Sequence, residues 1–187
     1  NSISMEVLTL QQAGFLAWSK SKKSKCLFAT ASIYDSFAQN EGPTDPTLQI
    51  YSLDIVNRTS SSQKLGLATS QEGNFTSIDW ENFGENDSFP YGVIATGFDN
   101  GLVGLWDANA IMQDTSSNES INRGLISLQE VHEAPVNTIA FNPFRQHLIA
   151  SGGVEVVIHN LEKDIAEPDV FSPGSDVHQG SAITSVS

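Results

Sequence analysis

The sequence predicts an all-β chain built from a repeated sheet unit, and three observations carry that reading. Three segments share one pattern, a β-rich run ending in an aromatic: Phe15-Leu16-Ala17-Trp18, Phe75-Thr76-Ser77-Ile78-Asp79-Trp80 and Val136-Asn137-Thr138-Ile139-Ala140-Phe141. Each is followed by a small-residue strand (Leu27-Phe28-Ala29-Thr30, Val93-Ile94-Ala95-Thr96, Leu148-Ile149-Ala150-Ser151). A third strand closes each unit (Leu48-Gln49-Ile50-Tyr51, Val103-Gly104-Leu105-Trp106, Val156-Val157-Ile158-His159), with the period-two alternation of half-buried strands. The spacing is regular: Trp18 to Trp80 is 62 residues, Trp80 to Phe141 is 61, Tyr51 to Trp106 is 55 and Trp106 to His159 is 53. Self-similarity at a fixed period marks a stacked-repeat architecture. No amphipathic helix stands out, although Ala108 to Gln113 can form one short turn.

The first unit spans 15–54. Its long insertion, Ile33 to Pro46, holds the breakers Glu41-Gly42-Pro43 and Asp45-Pro46. Val56 to Ser62 reads as a loop, because Thr59-Ser60-Ser61-Ser62 cannot build a core. The second unit spans 73–107 and carries the clearest hairpin signal, Asp99-Asn100-Gly101, since Asn-Gly supplies the positive φ angles of a tight type I′ turn. Ala108 to Asn122, rich in Asn, Ser and Asp, is its trailing loop. In the third unit, 132–162, Gly152-Gly153 runs almost directly into Val154-Glu155. Phe141 to His159 is 18 residues against 26 from Trp80 to Trp106, so either that hairpin is very tight or a few residues are missing. Residues 182–187, Ala182-Ile183-Thr184-Ser185-Val186-Ser187, begin the pattern a fourth time.

Composition removes several function classes. Nine Lys plus Arg against 22 Asp plus Glu give a net charge of −13 over 187 residues. That opposes nucleic-acid binding, which rests on neutralising phosphates, and docking on an anionic leaflet. Lys20, Lys22, Lys23 and Lys25 are four of the nine cations. They read as a solvated loop, with a small acidic partner patch as the alternative. Lone Cys26 cannot form an intrachain disulfide, which suits a reducing compartment. Its place in Cys26-Leu27-Phe28-Ala29 suggests a buried, inert thiol. No apolar run approaches the roughly 20 residues that span a bilayer, and no signal peptide is visible. A soluble, cytoplasmic chain is expected.

The segment Ile94-Ala95-Thr96-Gly97-Phe98-Asp99-Asn100-Gly101-Leu102-Val103-Gly104-Leu105-Trp106-Asp107 resembles the strand–turn–strand core of a WD-repeat β-propeller blade. In that family a His, a Ser/Thr, the Trp and the turn Asp form a hydrogen-bonded chain that staples the blade. The resemblance therefore implies structural roles for Thr96, Asp99, Trp106 and Asp107. It also puts His132 at the Gly-His position and Ser151 at the hydroxyl position. Departures are plain. Tyr51-Ser52 and His159-Asn160 stand where Trp-Asp is expected, and the third unit lacks the turn Asp.

The order of segments is similar to the N-terminal propeller of the large outer-cage subunit of the COPII vesicle coat, the secretory protein thirty-one family. That resemblance implies a seven-bladed ring. About three blades and the first strand of a fourth lie in this chain, with 1–14, including Met5-Glu6-Val7-Leu8, as the closing strand. Three blades cannot close a ring of 4–8, and an open arc exposes apolar faces; the chain is therefore expected to be part of a longer propeller.

The implied role is that of a non-enzymatic interaction module in cage assembly and vesicle budding from the endoplasmic reticulum toward the Golgi. The module would be peripheral on COPII vesicles and exit sites. Implied partners are the small WD-repeat subunit of the outer coat, other coat propellers at cage vertices, and the inner coat and its small GTPase through regions outside this chain. Neither nucleic acid nor direct membrane insertion is expected. A generic WD-repeat scaffold of a ubiquitin ligase or chromatin complex is the alternative. Ile33 to Pro46 and Ala108 to Asn122 are the candidate binding loops.

Enzyme chemistry finds no foothold in the residues. His132 reads as structural, while His147 and His178 fall in solvated turns. One cysteine makes a zinc site remote, and no nucleophile elbow or His-Glu-x-x-His appears. Gly97 to Gly101 is followed by a strand rather than a helix, so it is no phosphate cradle. Glu81, Glu85 and Asp87 read as a solvated loop. No metal or cofactor is expected.

Overall fold

The computed structural model describes residues 9–10, 13–21, 26–33, 45–54, 62–83, 88–113, 120–162, 169–171 and 182–186. Three antiparallel four-stranded sheets succeed one another along the chain. The first holds β1 (Gly14–Trp18), β2 (Leu27–Ser32), β3 (Thr47–Leu53) and β4 (Ser62–Thr69). The second holds β5 (Phe75–Glu81), β6 (Val93–Phe98), β7 (Leu102–Asp107) and β8 (Leu125–Glu130). The third holds β9 (Thr138–Phe141), β10 (Leu148–Gly152), β11 (Val156–Asn160) and β12 (Asp169–Phe171). Strands pair in sequence order within each sheet, and β5 packs against β1 on one side and β9 on the other. This radial stacking of meanders, first strands innermost, is the arrangement of propeller blades.

Every sheet extends past the segment its sequence pattern marked, because each has an outer strand beyond 54, 107 or 162. Those strands hide from a hydrophobicity reading. Gln63 and Lys64 of β4 are exposed, and β8 alternates no cleaner than Leu125-Ile126-Ser127-Leu128-Gln129-Glu130. An outer strand needs one neighbour and little core, so its sequence is free to be polar.

The core forms two clusters, one between the first and second sheets and one between the second and third. Trp80, Trp106, Phe75 and Phe98 are fully buried, and Phe75 packs against Phe98 in a tilted pair, 4.9 Å between centroids. By contrast Trp18, the corresponding aromatic of β1, is 53% exposed, since no described sheet lies on its far side. The short turn read at 108–113 is the helix α1 (Ala108–Gln113), with Ala108 and Ile111 buried. It rests on β4 of the preceding sheet. Gly66 permits that approach, for a Cβ there would lie 2.2 Å from the Ile111 carbonyl oxygen. Beyond the helix, Ser120 and Asn122 straddle Thr69: Thr69 N–H donates to Ser120 O at 2.8 Å, and Asn122 N–H to Thr69 O at 2.8 Å. The start and end of the candidate loop 108–122 thus clamp two sheets together.

Three local expectations change. The 99–101 hairpin is not type I′: Asn100 keeps a negative φ and only Gly101 is left-handed, at +87°. Phe98 O accepts from Gly101 N–H, giving the three-residue turn with a glycine bulge, which also suits strand twist. The third hairpin, with Gly152 paired to Val156 across three residues, is no tighter than the second; the shorter spacing from Phe141 falls mainly between β9 and β10, where residues 142–147 stand against 82–92 between β5 and β6. Cys26 is half-buried in a turn at φ +65° rather than inside a strand. Residues 182–186 form no strand, although Ile183 N–H donates to Gly153 O at 2.7 Å. The expected closing strand Met5-Glu6-Val7-Leu8 and most of Ile33 to Pro46 lie outside the described residues.

Gly66→Ala tests the clamp. The added methyl must push the α1 backbone off β4, at a cost of about 2 kcal/mol or more. Urea unfolding monitored by far-ultraviolet circular dichroism should show that loss, and an unchanged midpoint would refute the close packing.

Candidate functional site

Two sets of polar groups hold the sheets, one inside each blade and one between blades. Within the second sheet the Trp106 indole N–H donates to Thr96 Oγ1 at 2.8 Å, and the Thr96 hydroxyl points on to Gly104 O at 3.4 Å. Both side chains are fully buried, so each polar atom needs this partner. Asp99 lies outside that pair. Its Oδ1 accepts from Asn74 N–H at 3.1 Å and its Oδ2 from Asn74 Nδ2 at 2.8 Å, tying the hairpin to the start of β5. Asp107 accepts from Asn109 N–H at 2.8 Å and so caps α1. Asp99 and Asp107 are thus turned to Asn74 and Asn109 rather than to a histidine.

The third sheet has its own chain. Ser151 Oγ lies 2.8 Å from His132 Nε2 and 3.0 Å from His159 Nε2, all three residues being buried. The Ser151 hydroxyl has one proton and two lone pairs, so at most one of the two imidazoles accepts from it and at least one donates through Nε2–H. Burial, reinforced by His132, pushes His159 down to about 4; burial also lowers His132, against the weaker pull of Glu155. His159 was absent from the sequence-derived set. The signal was its alignment with Trp106, for the smaller ring takes over the indole's contact with the strand hydroxyl.

Between blades the organising group is Asp79. Its Oδ2 accepts Phe141 N–H of β9 at 2.8 Å and lies 3.5 Å from Lys20 Nζ, which follows β1. One carboxylate therefore touches all three sheets. Lys20 also pairs with Glu81 Oε2 at 3.0 Å, and Glu81 Oε1 accepts Asn82 N–H at 2.9 Å and Gln146 Nε2 at 3.3 Å. Asn82 Nδ2 donates to Lys20 O. Glu81 is consequently buried at the end of β5 rather than solvated, and Lys20 belongs to a seam rather than to a free loop. Glu85, Asp87, Lys22, Lys23, Lys25 and His178 lie outside the described residues. His147 faces Glu162 at 3.7 Å, partly buried.

Among the described residues no group of three or more His, Cys, Asp or Glu could hold a metal ion, and no helix is long and apolar enough to cross a membrane. The arrangement can stack and fix blades, and the His132–Ser151–His159 chain is closed from solvent.

No protein-family model matches the chain. It is 36% identical over 148 residues to "Protein transport protein SEC31" of Dictyostelium discoideum, covering 76% of this chain and 11% of that protein. It is 28% identical over 160 residues to the SEC31 of Candida albicans, covering 85% and 10% respectively. With "Protein transport protein Sec31A" of Danio rerio it shares 26% over 156 residues, 83% of this chain and 12% of that one. The chain thus spans about a tenth of these relatives' length. Among solved structures, the COPII outer-coat vertex on membranes superposes with a TM-score of 0.60 at 19% identity, covering 92% of this chain and 41% of that one. The mitotic checkpoint complex superposes at 0.50 and 16%, covering 79% and 34%. Both likenesses are of fold.

Two predictions follow from the bonding. His159 prefers its neutral form when folded, so an unfolding chain takes up a proton first as pH falls below the ordinary value near 6.5. Stability is full above that pH and declines by about 3 kcal/mol on the way to pH 4. His159→Phe should flatten this slope in urea titrations across the range; an unaltered slope refutes the assignment. Asp79→Ala should cost about 1–3 kcal/mol by orphaning Phe141 N–H, while Lys20 keeps Glu81. Asp79→Asn, which keeps an acceptor, should cost less than half as much in the same measurement.

Proposed function

Because this chain belongs to the SEC31 family of protein transport proteins, we propose that it is a propeller segment of the COPII outer coat, acting mechanically in vesicle budding from the endoplasmic reticulum toward the Golgi. The 36% identity over 76% of the chain supports this most directly, and the blade stacking supports the manner. Rigid sheets fix the interior while loops at the two strand ends stay available for contacts. Thr96–Trp106 and His132–Ser151–His159 act as the blade staples of this reading, with Asp99 and Asp107 fixing the turn and the helix that flank them. The role is non-enzymatic.

In the fuller reading the propeller meets neighbouring coat propellers at cage vertices and works with the small WD-repeat subunit. Inner-coat and small-GTPase contacts come from regions outside these residues. Many weak contacts sum through multivalency, so each can be small and reversible. The −13 charge keeps the surface off anionic lipid, as suits an outer layer peripheral to the membrane.

A generic scaffold of another complex keeps the same fold, as the likeness to the mitotic checkpoint complex illustrates. Affinity purification of the tagged full-length protein separates the two. Stoichiometric recovery of the small WD-repeat coat subunit, with fluorescence at exit sites on the endoplasmic reticulum, is expected. Recovery of ubiquitin-ligase or chromatin subunits instead would overturn the coat assignment.

A further inference from the structure

The junction between the second and third sheets is held differently from the one before it. The connector 131–137 leads from β8 into β9, and its backbone is bonded on both sides. Val131 and His132 N–H donate to Gly101 O, and Val136 N–H to Phe98 O, in the second sheet and its hairpin; Asn137 N–H donates to Gly152 O in the third. From this connector the His132 ring reaches into the third sheet, where Ser151 of β10 joins it to His159 of β11. Gly153 is packed on that ring, since a Cβ there would fall 3.1 Å from His132 Nδ1. His159 in turn lines a cleft between the two sheets with Val103, Leu105, Ile149 and Leu161. Three buried side chains thus stand in single file at the junction.

That file has room for one added proton and not for two. With His132 protonated, its Nε2–H donates to Ser151 Oγ and the hydroxyl donates on to His159 Nε2, so each of these atoms keeps a partner. Glu155, whose charge acts on His132, favours that ring as the first to be charged. A second proton, on His159 Nε2, takes away the acceptor of the hydroxyl and sets two imidazolium charges about one oxygen, away from water. Little else is placed to offset them. β6, β9 and β10 carry no titratable side chain, and β12 sets Asp169 opposite Ile158 rather than His159. Asp99 is taken up by Asn74, Asp107 of β7 caps α1, and Glu130 and Glu133 are exposed on either side of His132.

We propose that His132, Ser151 and His159 form a proton-operated latch, which holds the second and third sheets together with at most one proton bound and releases their junction when both rings are charged. The bistable element is the connector 131–137, which His132 pins to the third sheet. The first junction has no such part. It is tied by α1 against Gly66 and by the backbone bonds of Ser120 and Asn122 to Thr69, none of which titrates. The response is therefore confined to one side of the second sheet. The inference goes beyond the coat reading and does not depend on it.

The test is amide hydrogen exchange of the full-length protein, followed by mass spectrometry and expressed as protection relative to each amide's unstructured rate. Closed, His159 stays neutral down to about 4, whereas released it charges near 6.5. Opening by proton uptake should therefore grow about thirtyfold between about pH 7.5 and pH 5 at residues 131–137 and 149–159. Residues 66–70 and 120–125, at the first junction, should keep their protection over the same range. His159→Gln, which leaves a neutral polar group beside Ser151, should cut the growth to about threefold or less. Glu155→Gln, a milder change in the hairpin turn, should enlarge it, because the closed form then refuses the first proton as well; this variant decides the matter if His159→Gln fails to fold. Protection lost evenly at both junctions, growth that persists in His159→Gln, or a Glu155→Gln response no larger than that of the wild type overturns the latch.

Discussion

A sheet of four strands has two faces, and in this chain both are apolar at their centres. Neither can be left to water, so every sheet depends on having another sheet against it. That dependence orders the rest of the structure. It explains why Trp80 and Trp106 vanish into the interior while Trp18, at the near end of the stack, stays half open. It also bears on the polar groups at the contact, most of which are paired, Ser77 Oγ and Asn82 Oδ1 being the exceptions. A carboxylate wedged between stacked sheets cannot be hydrated cheaply, and Asp79 resolves this by accepting from one neighbour's backbone while lying beside the other's ammonium. The buried hydroxyls of Thr96 and Ser151 obey the same rule inside the sheets.

Much of this was legible in the sequence, for reasons that are particular. Strands such as Val93-Ile94-Ala95-Thr96 lie under cover on both sides, so burial wrote itself into their composition. Thr96, Trp106, His132 and Ser151 stood out through the resemblance to a WD-repeat blade, whose buried polar side chains need partners. Glu81 and Lys20 were misread because a charge in a sequence signals water, and only folding brings together residues about sixty positions apart. Gln63-Lys64 and Ser127 concealed outer strands because a strand with one neighbour is held by backbone bonds. His159 was seen as a departure from a pattern; its shared hydroxyl with His132 shows it as a replacement.

Family membership and architecture bear on different scales. Similarity to SEC31 proteins covers most of this chain and about a tenth of theirs, so it speaks to what these sheets belong to. The bonding speaks to what they can do, which is to hold loops at fixed places at the two ends of the strands. A coat made of many weak contacts needs such fixity more than it needs any strong contact, because tolerance in the module would be multiplied across the lattice.

The helix α1 and the strand bonds around Thr69 have a further consequence, best put in terms of pages and spine. Sheets joined only along their inner strands can fan apart at their outer edges. Between the first two sheets that edge is tied, by α1 seated on Gly66 and by residues 120–122 bonded to Thr69. Between the second and third, among the described residues, no backbone hydrogen bond ties β8 to the neighbouring sheet. The first pair therefore turns as one stiff leaf, and bending under load concentrates at the fold beside His159.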